Sequence, residues 1–346
     1  MKNFLHITKG TGEKLARIKD IAEKSGFSIS TVSRVLNFDP DLSVSDETRE
    51  KIWRAAESLN YRKRFNQIKE EARPLRVGLV CLYPRNEELE ELFYLSISSG
   101  VESRCQREGI SVFKFFYGHF HEIKASGVQW IIAVGKFHKN HADRLAAITE
   151  NIIFVDSNPD EGKYDVVLVD FEYATKSVIN YLKEKGHTTI GYIGGRELIP
   201  GESDRHVDLR GKIFREYMQE LRMYNEAFIY TGNFTTEDGY QLMKSAIREH
   251  GEQLPTAFFA GNDQMAVGCL RALAEENIPV PERVNIIGLN DISIAKYVYP
   301  PLSTVRVHKE EMGKAAVNLM IERINGRKVA KKVFIGTELI VRESSF

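Results

Sequence analysis

The stretch IKDIAEKSGFSISTVSRVLN, residues 18–37, decides how this chain is read. Ile18, Ile21 and Ala22 fall at i, i+3 and i+4, one helical face that needs a partner to cover it. Gly26 follows where a tight turn wants positive φ, and Ser28 is placed to cap a second helix. On that helix Val32, Val35 and Leu36 form the inward stripe, leaving Ile29, Ser30, Ser33 and Arg34 outside. Downstream, Ser45-Asp46-Glu47 supplies a cap with acids in the first turn, and Ile52, Ala55, Ala56 and Leu59 share one face of a third helix. Three short helices around one small core can be a bundle without a ligand or a helix-turn-helix. Short polar groups plus one Arg on the outward face suit a helix lying in the DNA major groove with its N-terminal residues at the base edges.

Outward from this segment, the composition bounds the rest. A chain of 346 residues exceeds one average domain, and 42% hydrophobic with 28% charged residues is ordinary for a globular protein. No apolar run is long enough to cross a bilayer. Residues 1–16 hold neither a long apolar stretch nor a small-residue cleavage site, which speaks against secretion; they read as a disordered extension or as a translation start assigned too early. Cys81, Cys105 and Cys269 are scattered and odd in number, matching no metal-ligand spacing and no disulfide framework, so a reducing cytoplasm is expected. The zero net charge hides an asymmetry: residues 1–73 carry 15 Lys and Arg against 11 Asp and Glu, the remainder 33 against 37. The helix-turn-helix end is the basic end.

From residue 75 onward strand-like and helix-like segments alternate. Residues 76–82, 112–116, 130–134, 152–155, 166–169, 189–193, 257–260 and 285–289 read as buried parallel strands, and 333–341 as a last strand. Helical patterns at 89–107, 173–185, 264–276 and 309–325 lie between them, so the architecture is α/β and doubly wound. Ligands of such sheets sit at the carboxyl ends of strands. The polar residues immediately after strands are Asp156, Asp170, Asn262-Asp263 and Asn290-Asp291, with Gly194-Gly195 beside them. Each alone reads as a helix cap or turn former. Gathered with an Arg and an aromatic, they provide what a polyhydroxylated ligand requires: bidentate hydrogen bonds to vicinal hydroxyls and a flat apolar face for the ring.

Catalytic residues are not expected. Gly194-Gly195 completes no GxGxxG fingerprint, and neither a GxxxxGK[ST] loop nor a Gly-x-Ser-x-Gly elbow occurs. The nine His residues form no pair at metal-ligand spacing on one helix, so no metal or cofactor is expected.

The run 18–37, then Thr48-Arg49-Glu50-Lys51-Ile52 and Leu59-Asn60-Tyr61, resembles the DNA-binding headpiece of the lactose/galactose repressor family. Gly186-His187 with Ile193-Gly194-Gly195, residues 261–266 and residues 300–305 extend the resemblance to nearly the whole chain, 17–344. It implies a three-helix headpiece at 17–61, a hinge at 62–74, and at 75–346 a two-subdomain sensor similar to periplasmic sugar-binding proteins. The subdomains are expected at 75–169 plus 304–332, and at 170–303 plus 333–346. Matching positions imply that Ile29, Ser30 and Arg34 read bases while Thr31, Ser33, Asn37 and Tyr61 mainly hold phosphates. Arg34, whose fork matches guanine O6 and N7, would carry roughly 1–3 kcal/mol of discrimination. The implied sugar ligands are Asp156, Arg210, Asn262 and Asn290, with Phe234 as stacking platform or, equally, as packing. Asp263 and Asp291 are expected to be caps or struts.

In the family the hinge becomes a short helix on DNA and a Leu from each subunit wedges into the minor groove. Here Glu70 stands at that position, which a minor groove would repel. The alternative for the free protein is a flexible linker. Residues 85–90, Phe93-Tyr94 and 290–292 most resemble repressors of β-galactoside and galactan utilisation operons. The implied function is a cytoplasmic repressor of a carbohydrate-utilisation operon, bound as a homodimer to a pseudo-palindromic duplex operator and released by a sugar, a galactoside. The dimer faces are expected on the 89–107 helix and near 264–273, and with no heptad tail before Phe346 dimers only are expected. A corepressor-driven regulator of the same fold and a cytosolic sugar binder without regulatory role are the alternatives.

Overall fold

The structure is a computed structural model that describes residues 17–36, 42, 44–59, 75–82, 88–197 and 206–346. The chain divides into two compact units, Met1–Pro74 and Leu75–Phe346.

In the first unit α1 (Ile18–Ser25) ends on Gly26 at φ 77°, whose N–H reaches the Ala22 carbonyl. Only a residue without Cβ takes this left-handed cap at no cost. Ser28 Oγ accepts from the Thr31 amide at 3.0 Å and opens α2 (Ile29–Leu36). Ser45 does the same for α3 (Asp46–Ser58) through the Thr48 amide at 3.3 Å. The three inward stripes meet in one core of Ile21, Ala22, Val32, Val35, Leu36, Ile52, Ala55 and Ala56.

The second unit has two sheets. The first lobe holds β1 (Arg76–Leu82), β2 (Ser111–Phe116), β3 (Trp130–Gly135), β4 (Ile152–Val155), β5 (Asp165–Val169) and β12 (Lys332–Ile335), all parallel in the order β12-β5-β4-β3-β1-β2. Its helices are α4 (Glu88–Arg107), α5 (Phe120–Ala125), α6 (Lys139–Ala146) and α11 (Lys309–Ile324). The second lobe holds β6 (Ile190–Glu197), β7 (His206–Val207), β8 (Ile229–Gly232), β9 (Ala257–Ala260), β10 (Asn285–Asn290), β11 (Ser303–Val307) and β13 (Thr337–Ile340), in the order β13-β11-β10-β9-β6-β7 with β8 also on β6. Its helices are α7 (Phe171–Glu184), α8 (Leu209–Glu220), α9 (Thr236–His250) and α10 (Asp263–Glu275). β13 and β7 are the antiparallel members.

The lobe borders differ from those expected. β11 pairs with β10 and β13, so 303–307 belongs to the second lobe and the chain returns to the first only at α11. The stretch read as one strand, 333–341, is two strands in different sheets: Val333 lies beside Val167, while Leu339 lies beside Val305. Alternating polarity is the same on both sides of Gly336, so only the pairing partners reveal the break. The connection count between lobes is therefore three: after Val169, after Val307 and at Gly336.

In the first lobe α4 and α11 touch backbone to backbone. A Cβ on Gly100 would stand 2.1 Å from the Glu310 carbonyl oxygen, and one on Gly313 would stand 2.1 Å from that of Ile97. Asp165, 2% exposed, fastens the far end of α11 to the sheet by accepting from Arg323 Nε at 2.6 Å, Arg327 Nη1 at 2.7 Å and the Lys331 amide at 2.6 Å.

Candidate functional site

The outward face of α2 is as its spacing required. Ile29 is 53% exposed although apolar, Ser30 and Arg34 are exposed, and Thr31 and Ser33 are half-buried. An isoleucine left in water on the first turn of a short helix costs hydrophobic stabilisation, which marks a surface made to touch something. Thr31 Oγ1 lies 2.8 Å from Ser28 Oγ, so its rotamer is set by the cap. Asn37, Tyr61, the hinge 62–74 and Glu70 lie outside the described residues.

In the second unit the strand ends of the two lobes face one another. Asp156, just after β4, sits at φ 68° with its carboxylate buried; it accepts from Tyr94 Oη at 3.1 Å and pairs with Lys136 Nζ at 3.2 Å. Lys136 is also 6.0 Å from the ring of Phe171, which opens the second lobe's α7. The other neighbour of that ring is Arg210, 5.0 Å away. Arg210 is buried, donates to Asp208 Oδ1 at 2.8 Å and to the Gly261 carbonyl at 2.6 Å, and lies 4.3 Å over the Phe234 ring. A contiguous chain of contacts thus joins Asp156 to Phe234 across the lobes.

Asn262 caps α10: its Oδ1 accepts from the Met265 amide at 2.8 Å and its Nδ2 donates to the Phe234 carbonyl at 3.0 Å. One lone pair and one N–H of the amide stay available for a ligand. Asn290 ends β10 at φ 118°, and its carbonyl accepts from Lys309 Nζ at 2.6 Å. Lys309 in turn stands 5.9 Å from the Phe93 ring, which meets Tyr94 edge-on at 5.2 Å. The route from Asn290 back to Asp156 is closed, so all five residues expected to hold an effector border one interlobe region.

The Phe234 ring is 8% exposed, with Arg210 on it and with Gly195 and Gly261 against its edge. It packs; a stacking platform in this state would have to displace the guanidinium. Asp263 and Asp291 are struts. Asp263 accepts from Thr304 Oγ1 at 2.5 Å and the Ile292 amide at 2.8 Å, and Asp291 is held by Arg306 Nε at 2.8 Å and Arg342 Nη2 at 2.6 Å. Burial pushes the Asp263 carboxyl up to about 6. The Asp291 carboxyl is lowered: burial raises it, and its two arginines more than offset this. Burial also lowers the Lys309 ammonium.

Sequence reasoning missed Lys136, Phe171, Asp208 and Lys309. Lys136 follows β3 and satisfies the strand-end rule, but Gly135 intervened after the expected strand. Lys309 carried no signal, since a cation at a helix start reads as solvated. The stretch expected as a dimer face near 264–273 is almost wholly buried in its own lobe, from Met265 at 0% to Leu273 at 0%. Exposed apolar residues of that lobe include Ile294, Tyr297 and Tyr299, which are 43%, 76% and 92% exposed. Among the described residues no group of His, Cys, Asp or Glu could hold a metal ion, and no helix is long and apolar enough to cross a membrane.

Comparison with known proteins identifies the family of each part of the chain. Residues 17–63 match the bacterial regulatory proteins, lacI family, and 179–345 match the periplasmic binding protein-like domain. The HTH-type transcriptional regulator GanR of Bacillus subtilis (strain 168) is 43% identical over 334 residues, 95% of this chain and 99% of that protein. The HTH-type transcriptional regulator GalR of Streptococcus thermophilus is 36% identical over 96% of this chain and 100% of that protein. Among solved structures, the lac repressor dimer bound to operator and the anti-inducer ONPF has a TM-score of 0.71 at 24% identity, covering 96% of this chain and 99% of that one, a likeness of fold. With its outward-facing α2 and its paired-lobe sensor, the chain belongs to the lacI family of bacterial regulatory proteins and is a DNA-binding transcription regulator.

Proposed function

We propose that the protein is a cytoplasmic, homodimeric repressor of a carbohydrate-utilisation operon that leaves its operator when a galactoside binds between the sensor lobes. The observation that carries this is the interlobe ring of Asp156, Lys136, Arg210, Phe234, Asn262 and Asn290. Its carboxylate, guanidinium and amides are the donors and acceptors that vicinal hydroxyls need, and the half-buried Phe171 ring beside Lys136 and Arg210 offers an apolar face for a pyranose. Similarity to GanR and GalR, and the likeness of 85–90, Phe93-Tyr94 and 290–292 to repressors of β-galactoside and galactan operons, favour a galactoside among sugars.

In this reading Ile29, Ser30 and Arg34 reach base edges while Thr31, Ser33, Asn37 and Tyr61 hold phosphates. A single headpiece reads few base pairs, so two copies on a pseudo-palindrome supply specificity. A ligand couples to DNA only through unequal affinity for two sensor states; Lys136 against Phe171 and Lys309 on the Asn290 carbonyl link the lobes, so closure would rearrange both. A coupling of about 1–3 kcal/mol shifts operator affinity roughly 5- to 150-fold.

The test is a gel-shift titration of the full chain on an operator recovered from a random duplex library, at fixed salt, with and without lactose, galactose and galactobiose. One of them is expected to weaken binding within that range. Arg34→Ala should abolish preference for the selected duplex while Asp156→Asn keeps it and loses the sugar response. Undiminished binding with every galactoside would exclude an inducible galactoside repressor; tighter binding with a ligand would support the corepressor alternative.

A further inference from the structure

We propose that the sensor has a DNA contact of its own, in which Lys328, Lys331 and Lys332 hold backbone phosphates of duplex flanking the half-site read by α2. Residues 323–332, RINGRKVAKK, contain five cations and no acid. They form the turn between α11 and β12, and buried Asp165 fixes its shape through Arg323, Arg327 and the Lys331 amide. Lys328, Lys331 and Lys332 are exposed. Lys331 pairs with Glu322 at 2.7 Å and Lys332 with the 85% exposed Glu161 at 3.6 Å, while Lys328 has no ion pair among the described residues. Exposed pairs of this kind are weak, so phosphates can replace both glutamates.

Topology places the patch on the sheet edge at which the chain enters the second unit. All six first-lobe strands are parallel, and Lys332 lies beside Val166 as Arg76 lies beside Ser111, so the patch and the entry of the chain at Leu75 share the amino-end edge of one sheet. Four strand spacings, about 19 Å, separate them. Residues 62–74 cannot span more than about 45 Å however they are arranged. At 3.4 Å per base pair that is about 13 base pairs, so duplex bordering a half-site is within covalent reach. Tethering by the headpiece presents these phosphates at an effective concentration in the millimolar range, which favours DNA over a free acidic partner. Lysines on flexible stems act as point charges and suit phosphates better than base edges.

The experiment compares the selected operator trimmed to its palindrome with the same operator carrying 20 base pairs of mixed sequence on each side, titrated across salt concentrations. The parent should bind the long duplex more tightly, with a log–log salt slope steeper by about 0.9 for each lysine engaged. Lys328→Gln/Lys331→Gln/Lys332→Gln should reduce affinity and slope on the long duplex to the trimmed values and leave trimmed binding unchanged. Lys328→Glu, at the lysine without an ion pair among the described residues, repeats the test should the triple variant fold poorly. Equal affinity and slope of the parent on both duplexes, or a variant that weakens both equally, would overturn the proposal. Absence of selective binding to the trimmed duplex by the parent would overturn the headpiece reading and this one with it.

Discussion

Asp263 shows how one buried carboxyl sets a pH response. Its oxygens face Thr304 and the Ile292 amide, yet burial dominates and holds the proton until about pH 6, against 3.8 for an ordinary Asp. Between those values the folded chain binds more protons than the unfolded one, so this residue lowers stability as pH rises from about 4 to about 6. His187, whose ring is lowered by burial, acts in the opposite sense: its contribution is lost as pH falls through the ordinary histidine range. Urea unfolding of the parent and Asp263→Asn at pH 4, 5, 6 and 7 separates the two, because His187 cancels in the difference. The parent's advantage over the variant should shrink from pH 4 to 6 and level off above; a constant difference would contradict the assignment.

At the scale of elements, the crossing of α4 and α11 is a backbone-to-backbone joint of the first lobe, with Gly100 and Gly313 each against the other helix's backbone. Backbone cannot yield as a side chain can, so Gly313→Val should destabilise by about 1–3 kcal/mol or more through overpacking. Gly26 differs: nothing lies near its Cβ position, and Gly26→Ala should cost only the left-handed cap, about 1 kcal/mol. Thermal unfolding of both variants checks the ranking; a Gly313→Val midpoint equal to that of the parent would mean that the helices separate freely. These elements differ in legibility. Ser28, Gly26 and the stripes of α1–α3 act over three or four residues, so local pattern announced them. β8, IYTG, and β11, STVRV, went unread because each has only two apolar residues among polar ones and glycine, too few to announce a buried strand.

For the whole molecule, two exposed tyrosines on one lobe are a liability in a monomer and an asset at a twofold interface. Tyr297 and Tyr299 are 76% and 92% exposed, and Leu95 on α4 is 41% exposed. Tyr299→Asp should raise the dissociation constant of the proposed dimer by roughly tenfold or more in sedimentation equilibrium, and operator binding should become steeper in protein concentration. An unchanged association constant would place the dimer elsewhere.

The order of residues alone settled what depends on near neighbours: the capped helices of the headpiece, the outward position of Ile29, Ser30 and Arg34, most strands of the sensor, and the polar groups that end them. Tertiary pairing decided which sheet receives 303–307 and which receives each half of 333–341, because alternation carries no record of the partner strand. It also brought Tyr94 to Asp156 and Arg210 to the Gly261 carbonyl, contacts between residues 62 and 51 positions apart in the chain. Only tertiary packing could desolvate Lys309 and Asp263, and desolvation is a property of surroundings that no local run of residues contains.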